Sequence, residues 1–322
     1  MTRPIFILSL PRAGSTLLQR MLSASPDIAT TPEPWLALPW LSPLTDLPQH
    51  ACYRFDLARN AIADFNSRLP GGERTYCQAV RDALMALYQA AGDGKPFFLD
   101  KTPRYCLVAR RLINLFPEAK FVILWRNPLA VLGSMLSTWA GSRWQPFRYE
   151  TDLYRVTSKL VAAAVECDDR VYQIHYESLT SDPEVTLTEL CRYLQVPYLP
   201  EMTRGLSDKK IQGVMGDPTG QDQYAEVSTA SHSKWKSLLS GMVRKRYAEN
   251  YLNWLGEDRL DVMGYPRNDL LSELKQLPTC TSRWPSDIYW TLYGRRYRRI
   301  GVGARQEEMD RRLRRSAKAA SA

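Results

Sequence analysis

The chain has 322 residues, of which 44% are hydrophobic and 24% charged, enough for one large α/β domain or two smaller ones. Those proportions exclude a disordered, collagen-like or multi-span membrane protein, and no run approaches the ~20 apolar residues of a transmembrane helix. The net charge of +9 resides in the tail: residues 295–322 hold ten Lys/Arg and three Asp/Glu, leaving +2 for residues 1–294, so the body offers no case for binding a specific nucleic acid.

In chain order, Pro4–Leu10 is a β-branched apolar run of strand length. The turn Pro11-Arg12-Ala13-Gly14-Ser15-Thr16 then opens onto Leu17, Leu18, Met21 and Leu22 at helical spacing. A helix is expected at 75–91 and a short buried strand over Pro96–Asp100, followed by an amphipathic stretch at 104–116. Lys120–Trp125 is the strongest strand, and Pro128 suits the first position of a helix running to Trp139. A helix at about 150–167, a strand at Val171–Tyr176 and a helix at Pro183–Leu194 complete the alternation. Such an order predicts a parallel β-sheet with helices on both faces. Beyond residue 200 come a loop at about 205–235, with a sharp turn at Gly216–Gly220, and a helix at about 242–255. We expect one α/β domain over 1–294 and a basic, partly helical extension over 295–322.

Six cysteines without a C-x-x-C pair and only three histidines supply no zinc spacing, so no metal site is expected. Cys77, Cys106 and Cys191 read as reduced thiols in helix-like stretches. With neither a signal peptide nor a span visible, this points to a cytoplasmic protein.

A strand-to-helix turn carrying Gly14, Ser15 and Thr16 presents free backbone N–H groups and a helix dipole to an anion. It is not a Walker A loop, because Ser15 stands where the phosphate-bridging lysine belongs. Taken alone it is equally an ordinary capped turn. A second signal is Arg126 at the end of Lys120–Trp125, with Ser134 in the next helix, both near the crevice where α/β sheets bind ligands.

Together these segments resemble the sulfotransferases that use 3′-phosphoadenosine 5′-phosphosulfate (PAPS). Pro11–Leu18 is similar to their 5′-phosphosulfate loop, and Arg126 with Ser134 to their 3′-phosphate pair. The likeness continues through Phe98–Pro103, Tyr176–Leu179 before Asp182-Pro183, and Val227–Thr229 before Ser233-Lys234-Trp235. It implies a P-loop-like fold, PAPS as sulfuryl donor with adenosine 3′,5′-bisphosphate (PAP) as product, and no metal. Contacts to the donor are implied for Arg12, Ala13, Gly14, Ser15, Thr16, Leu17, Arg126, Ser134, Ser228 and Lys234, and for Tyr176 on the adenine side. Arg12 and Lys101 are implied to stabilise departing charge. The chain looks more like the bacterial carbohydrate-type and tyrosylprotein-type branch than the small-phenol branch. No histidine follows the expected loop, whereas Glu33 does, in Thr31-Pro32-Glu33-Pro34-Trp35, so Glu33 is the expected general base. Trp35 and Leu36 are expected to desolvate its carboxyl group.

The acceptor is expected to be a hydroxyl on a glycan, lipid-linked glycan or other small molecule, with a tyrosyl, phenolic or polyketide hydroxyl as the alternative. Trp139, Trp144, Phe147, Tyr149 and Tyr154 either form a stacking wall for it or fill the core. A P-loop kinase accounts only for the first loop and the fold, and a basic interaction protein only for the tail. There, Trp284, Ile288, Tyr289, Trp290, Leu292 and Tyr293 precede Arg295, Arg296, Arg298 and Arg299. That order suits the anionic surface of an inner membrane; packing on the body or a homo-oligomer contact are the alternatives.

Overall fold

Within the first apolar run, Arg3–Ser9 (β1), alternate side chains enter two different cores: Phe6 and Leu8 lie on one side, Ile5 and Ile7 on the other, all fully buried. A strand covered on both faces belongs inside a parallel sheet with helices on each side. In the computed structural model, which describes residues 2–44, 55–205 and 227–299, that sheet has five strands, all parallel, in the order β2-β3-β1-β4-β5. The other strands are β2 (Ile28–Thr30), β3 (Phe97–Asp100), β4 (Lys120–Trp125) and β5 (Val171–His175).

Helices α1 (Ser15–Leu22), α8 (Tyr176–Ser181) and α9 (Pro183–Leu194) cover one face, with Leu18, Leu179 and Leu190 in its core. The opposite core takes residues from α2 (Ala37–Leu41), α4 (Glu73–Gly92), α5 (Ala109–Leu115), α6 (Pro128–Trp139) and α7 (Thr157–Glu166). Helix α3 (Phe55–Ser67) precedes α4. Four later helices are α10 (Lys234–Leu238), α11 (Met242–Val262), α12 (Arg267–Gln276) and α13 (Trp284–Arg299). Asn127 caps α6 by accepting from Leu129 and Ala130 N–H, which makes Pro128 its first residue as expected.

Four elements differ from expectation. The strand ends at His175, because Tyr176 already opens α8. The stretch 104–116 is a 3₁₀ turn over Pro103–Val108 that continues into α5, and the helix expected at 150–167 begins with a π-helical segment, Thr151–Val156. Helix α11 runs seven residues past 255, across a kink at Gly256 where φ is +70°. The turn at 216–220 and the tail from 300 onward lie outside the described residues. Of the thiols, Cys106 and Cys191 are buried and unpaired, and Cys77 is half-buried.

Two buried polar clusters hold the ends of this framework. Asp100, fully buried at the end of β3, accepts hydrogen bonds from Tyr88 (2.7 Å), Tyr105 (3.0 Å) and Thr102 (3.1 Å). The Tyr105 hydroxyl in turn accepts from Ala37 N–H, and Thr102 Oγ1 from Trp35 N–H, so one carboxyl group fixes the segment that carries Glu33. Further along, Arg244 and Asp287 form a fully buried two-point ion pair, both contacts 2.8 Å, which attaches α13 to α11. Arg244 also donates to the carbonyls of Leu238 and Ser142.

Burial pushes the Asp100 carboxyl from its ordinary 3.8 up to about 6, against the opposing pull of the three hydroxyl donors. The native state therefore holds a proton that the unfolded chain releases, and Asp100 lowers stability as pH rises through the window from 4 to 6. Chemical denaturation should show the native chain losing about 3 kcal/mol relative to Asp100→Asn between pH 4 and pH 7. A pH-independent difference between the two would contradict this.

Candidate active site

The loop between β1 and α1 is shaped by two residues with positive φ, Arg12 (+69°) and Gly14 (+99°). Gly14 lies directly on the ring of Tyr176: a Cβ there would sit 2.2 Å from Tyr176 Cδ2, so glycine is required by space as well as by φ. No side chain caps α1 and no acidic residue lies in its first turn; Ala13 N–H donates to the Leu10 carbonyl and Leu17 N–H to the Gly14 carbonyl, which leaves the N–H groups between them, Gly14 to Thr16, for a ligand. Ser15 is buried, and Ala13 and Leu17 belong to the core with their N–H groups already bonded within the loop.

Arg126 leaves β4 and stacks over the Tyr176 ring, its guanidinium carbon 4.3 Å from the centroid. Its two terminal nitrogens donate to the carbonyls of Arg12 (2.8 Å) and Ser231 (3.2 Å), while Nε is buried with no partner. Arg12 Nε donates to Ser134 Oγ at 3.2 Å, and the Tyr176 hydroxyl pairs with Ser231 Oγ at 2.9 Å. Gly133 lets Trp235 approach α6: a Cβ at 133 would lie 2.9 Å from that of Trp235. This brings α10, with Lys234 at its start, over the same space.

The result is a cavity of about 630 Å³. It brings together Arg12, Leu17, Arg126, Ser134, Tyr176, Ser228 and Lys234, all singled out by the sequence. Its described lining has three cations, six serines and no carboxylate. That donor set, with the orphaned Nε of Arg126, fits a ligand bearing phosphate groups. Sequence reasoning missed Ser137, Thr138, Ser142, Ser231 and Ser237 in this wall, because no pattern distinguishes them from surface serines. Ser142 is another non-glycine residue with positive φ, at +62°.

Glu33 and Lys101 do not line this cavity. Lys101, 1% exposed, donates to Glu33 Oε1 at 2.7 Å and makes a long 3.5 Å contact with Thr16 Oγ1 in the first turn of α1. The pair therefore borders the phosphate loop at Thr16. The expected desolvating apolar contacts on Glu33 are replaced by polar ones: besides Lys101, the Trp35 indole N–H donates to Oε2 at 3.3 Å, and Leu36 packs on the core instead. Trp35 itself has φ +57°, held by the Thr102 bond. Among the histidines, His232 is engaged by Thr180 Oγ1 at 2.6 Å and His175 by the Met263 carbonyl. His50 lies outside the described residues. No cluster suited to a metal ion occurs among the described residues.

Comparison with known proteins matches residues 4–201 to the model of the sulfotransferase family. Nodulation protein NoeE of Sinorhizobium fredii is 38% identical over 134 residues, 42% of this chain and 31% of that protein. Protein-tyrosine sulfotransferase 1 of Danio rerio is 26% identical over 262 residues, 80% of this chain and 67% of that one. The chain thus spans from about a third to two thirds of the length of these curated relatives. Two solved structures share the fold. The sulfotransferase domain of the Synechococcus PCC 7002 olefin synthase has TM-score 0.53 at 24% identity, covering 82% of this chain and 94% of that one. The sulfotransferase domain of the curacin biosynthetic pathway has TM-score 0.52 at 23% identity, covering 74% and 92%. With its family model matched over more than half its length, the uncapped loop at Gly14 and the Arg126 junction in one cavity, this chain belongs to the sulfotransferase family.

Proposed function

We propose that this protein transfers the sulfuryl group of PAPS to an acceptor hydroxyl. The observation that carries this reading is the carboxylate-free cavity in which Arg12, Arg126 and Lys234 converge beside the uncapped start of α1. Arg126 and Ser134 would hold the 3′-phosphate, and the loop N–H groups from Gly14 to Thr16, with Arg12, the 5′-phosphosulfate. Tyr176, already against Gly14, forms the floor. When bound, PAPS supplies a sulfuryl group joined to a good leaving phosphate.

The rest is supplied by the chain. Glu33 accepts the proton of the acceptor hydroxyl through Oε2, the oxygen not taken by Lys101. As the acceptor oxygen bonds to sulfur, the bond from sulfur to the 5′-phosphate oxygen breaks in line, and the electron pair leaves with that phosphate. Lys101 and Arg12 meet the charge that develops there. The overall exchange is a hydroxyl and PAPS for a sulfate ester, PAP and a proton. A glycan hydroxyl is our preferred acceptor; the name of the Danio rerio relative favours tyrosine as the second reading.

Calorimetry without added metal should find PAP bound, and Arg126→Ala should weaken it roughly 30- to 100-fold, the scale of a lost charge-assisted contact. Adenosine 5′-phosphate, lacking the 3′-phosphate, should lose far less. Equal losses for both nucleotides would remove Arg126 from the 3′-phosphate site.

Glu33→Gln should leave PAP affinity intact and lower turnover about 10²- to 10⁴-fold, the usual share of a general base. Arg12→Ala and Lys101→Ala should cut turnover on the order of 10²- to 10³-fold, more than they cut affinity. Near-normal turnover of Glu33→Gln at neutral pH would transfer the role of base elsewhere.

A membrane surface belongs to the same proposal as a partner. No helix among the described residues is long and apolar enough to cross a bilayer. Yet α13 leaves Trp284, Ile288, Tyr289 and Leu292 exposed on one side, with Arg295 and Arg296 exposed one turn on, while Phe147 packs against Tyr293 and Tyr297 on the other. The helix's acidic residue, Asp287, is buried with Arg244, so a second copy of this face would bring no counter-charge, whereas anionic lipid supplies both apolar depth and phosphate. The full chain should sediment with vesicles containing phosphatidylglycerol and not with neutral ones, and Trp284→Ser/Leu292→Ser should weaken this at least tenfold. Loss of a dimer in that variant, with no vesicle binding by the native chain, would make the face an oligomer contact.

A further inference from the structure

The aromatics between 139 and 154 serve the fold more than an acceptor. Trp144 lies under Arg244 and edge-on to Tyr247, Phe147 meets α13, Tyr149 packs on Trp139, and Tyr154 packs on Tyr251 and Trp254. The exposed indole that touches the proposed chemistry is elsewhere. Trp35, 39% exposed, donates from its ring N–H to Glu33 Oε2 at 3.3 Å.

Neither packing nor backbone geometry calls for tryptophan at this position. A bulky residue with φ +57° is an outlier, because the left-handed region crowds its Cβ against the backbone. Burial does not offset that cost: among the described residues the ring joins neither core and stacks on no other ring, whereas Ala37 is buried in the core and Leu36 packs against it. The backbone N–H that Thr102 Oγ1 accepts, at 3.4 Å, is one that any residue but proline supplies, and glycine or asparagine would take this φ with less strain. What the indole adds is a donor on the carboxylate two residues before it.

That carboxylate is held at both ends. Glu33 stands between Pro32 and Pro34, and a following proline restricts it to extended backbone. Its side chain is 16% exposed, with the Lys101 ammonium on Oε1 at 2.7 Å and the indole on Oε2. The terminal torsion of a glutamate is broad, so a carboxylate bonded through one oxygen still turns about its last bond. A donor on the second oxygen stops this. Each carboxylate oxygen has two lone pairs, so Oε2 keeps one for a further donor, and an indole N–H donates without taking up a proton itself.

We infer that Trp35 is a positioning residue for sulfuryl transfer: its indole fixes the rotation of the Glu33 carboxylate so that the remaining lone pair of Oε2 meets the acceptor hydroxyl. The inference rests on the reading of Glu33 as general base and deepens it. The left-handed backbone at Trp35, tied to Thr102 and through Thr102 to Asp100, keeps an exposed ring at that oxygen without help from a core.

The test follows radiolabelled sulfuryl transfer from PAPS by the full chain to a neutral N-acetylhexosamine oligosaccharide and to a tyrosine-containing acidic peptide, the faster acceptor serving for the variants. Trp35→Phe, which keeps a ring and removes the donor, should lower kcat roughly five- to tenfold, with acceptor KM, PAP affinity and melting temperature near native. In a Glu33→Gln background the same substitution should change kcat less than twofold, because the indole acts through that carboxylate. A raised acceptor KM with native kcat would make the ring a binding surface and overturn the inference. So would an undiminished loss in the Glu33→Gln background, or a loss that follows a lowered melting temperature. Near-native turnover of Glu33→Gln would instead remove the base on which the inference rests, and failure of the native chain to bind PAP would overturn the sulfuryl-transfer reading as a whole.

Discussion

The guanidinium of Arg126 joins four segments that are far apart in sequence: it grows from the end of β4, donates to the first loop at Arg12, donates to the late segment at Ser231, and stacks on Tyr176 at the start of α8. Burying such a cation is costly unless its donors are met, and here one of them, Nε, is left over. The cavity is therefore built around a positive charge that the protein alone does not fully satisfy. Arg12 and Lys234 add to that charge, and no described carboxylate in the lining offsets it. A dianionic phosphate would complete the arrangement, which is what supports the proposed nucleotide site even though the lysine of a Walker loop is missing.

The start of α1 divides two jobs. On one side, Gly14 rests on Tyr176 and the cavity opens; on the other, Thr16 faces the Lys101–Glu33 pair. Lys101 and Asp100 are consecutive, so the end of β3 places a buried cation and a buried carboxyl group side by side. Asp100 does not meet the Glu33 carboxylate. It acts through Thr102 and Tyr105, whose hydroxyls hold the backbone of Trp35 and Ala37, and so sets where Glu33 stands. The positive φ of Trp35 is tolerated because that backbone is tied down.

Helix α13 is part of the same mechanical unit. Its Asp287 pairs with Arg244, and Arg244 holds the carbonyls of Ser142 and Leu238, both of which line the cavity. One buried ion pair thus ties α13 to two residues of the cavity wall.

Periodicity and turn chemistry determined much of this protein without coordinates. The covered strands, the parallel order, the Pro128 start of α6 and the clustering of Arg12, Arg126, Ser134, Tyr176, Ser228 and Lys234 all follow from local pattern or from family likeness carried by contiguous motifs. Short or composite elements escaped: β2 has three residues, too few to show a period, and the π turn at 151–156 has the same apolar spacing as an ordinary helix. The partners of each charge were also beyond the sequence. Nothing local says that Glu33 meets Lys101 sixty-eight positions away, that His232 is occupied by Thr180, or that Tyr149 and Asp152 are buried with atoms to spare. Sequence spacing fixes which face of an element a residue occupies, but the environment of a charge depends on what other elements bring to that face, and only the tertiary structure decides that.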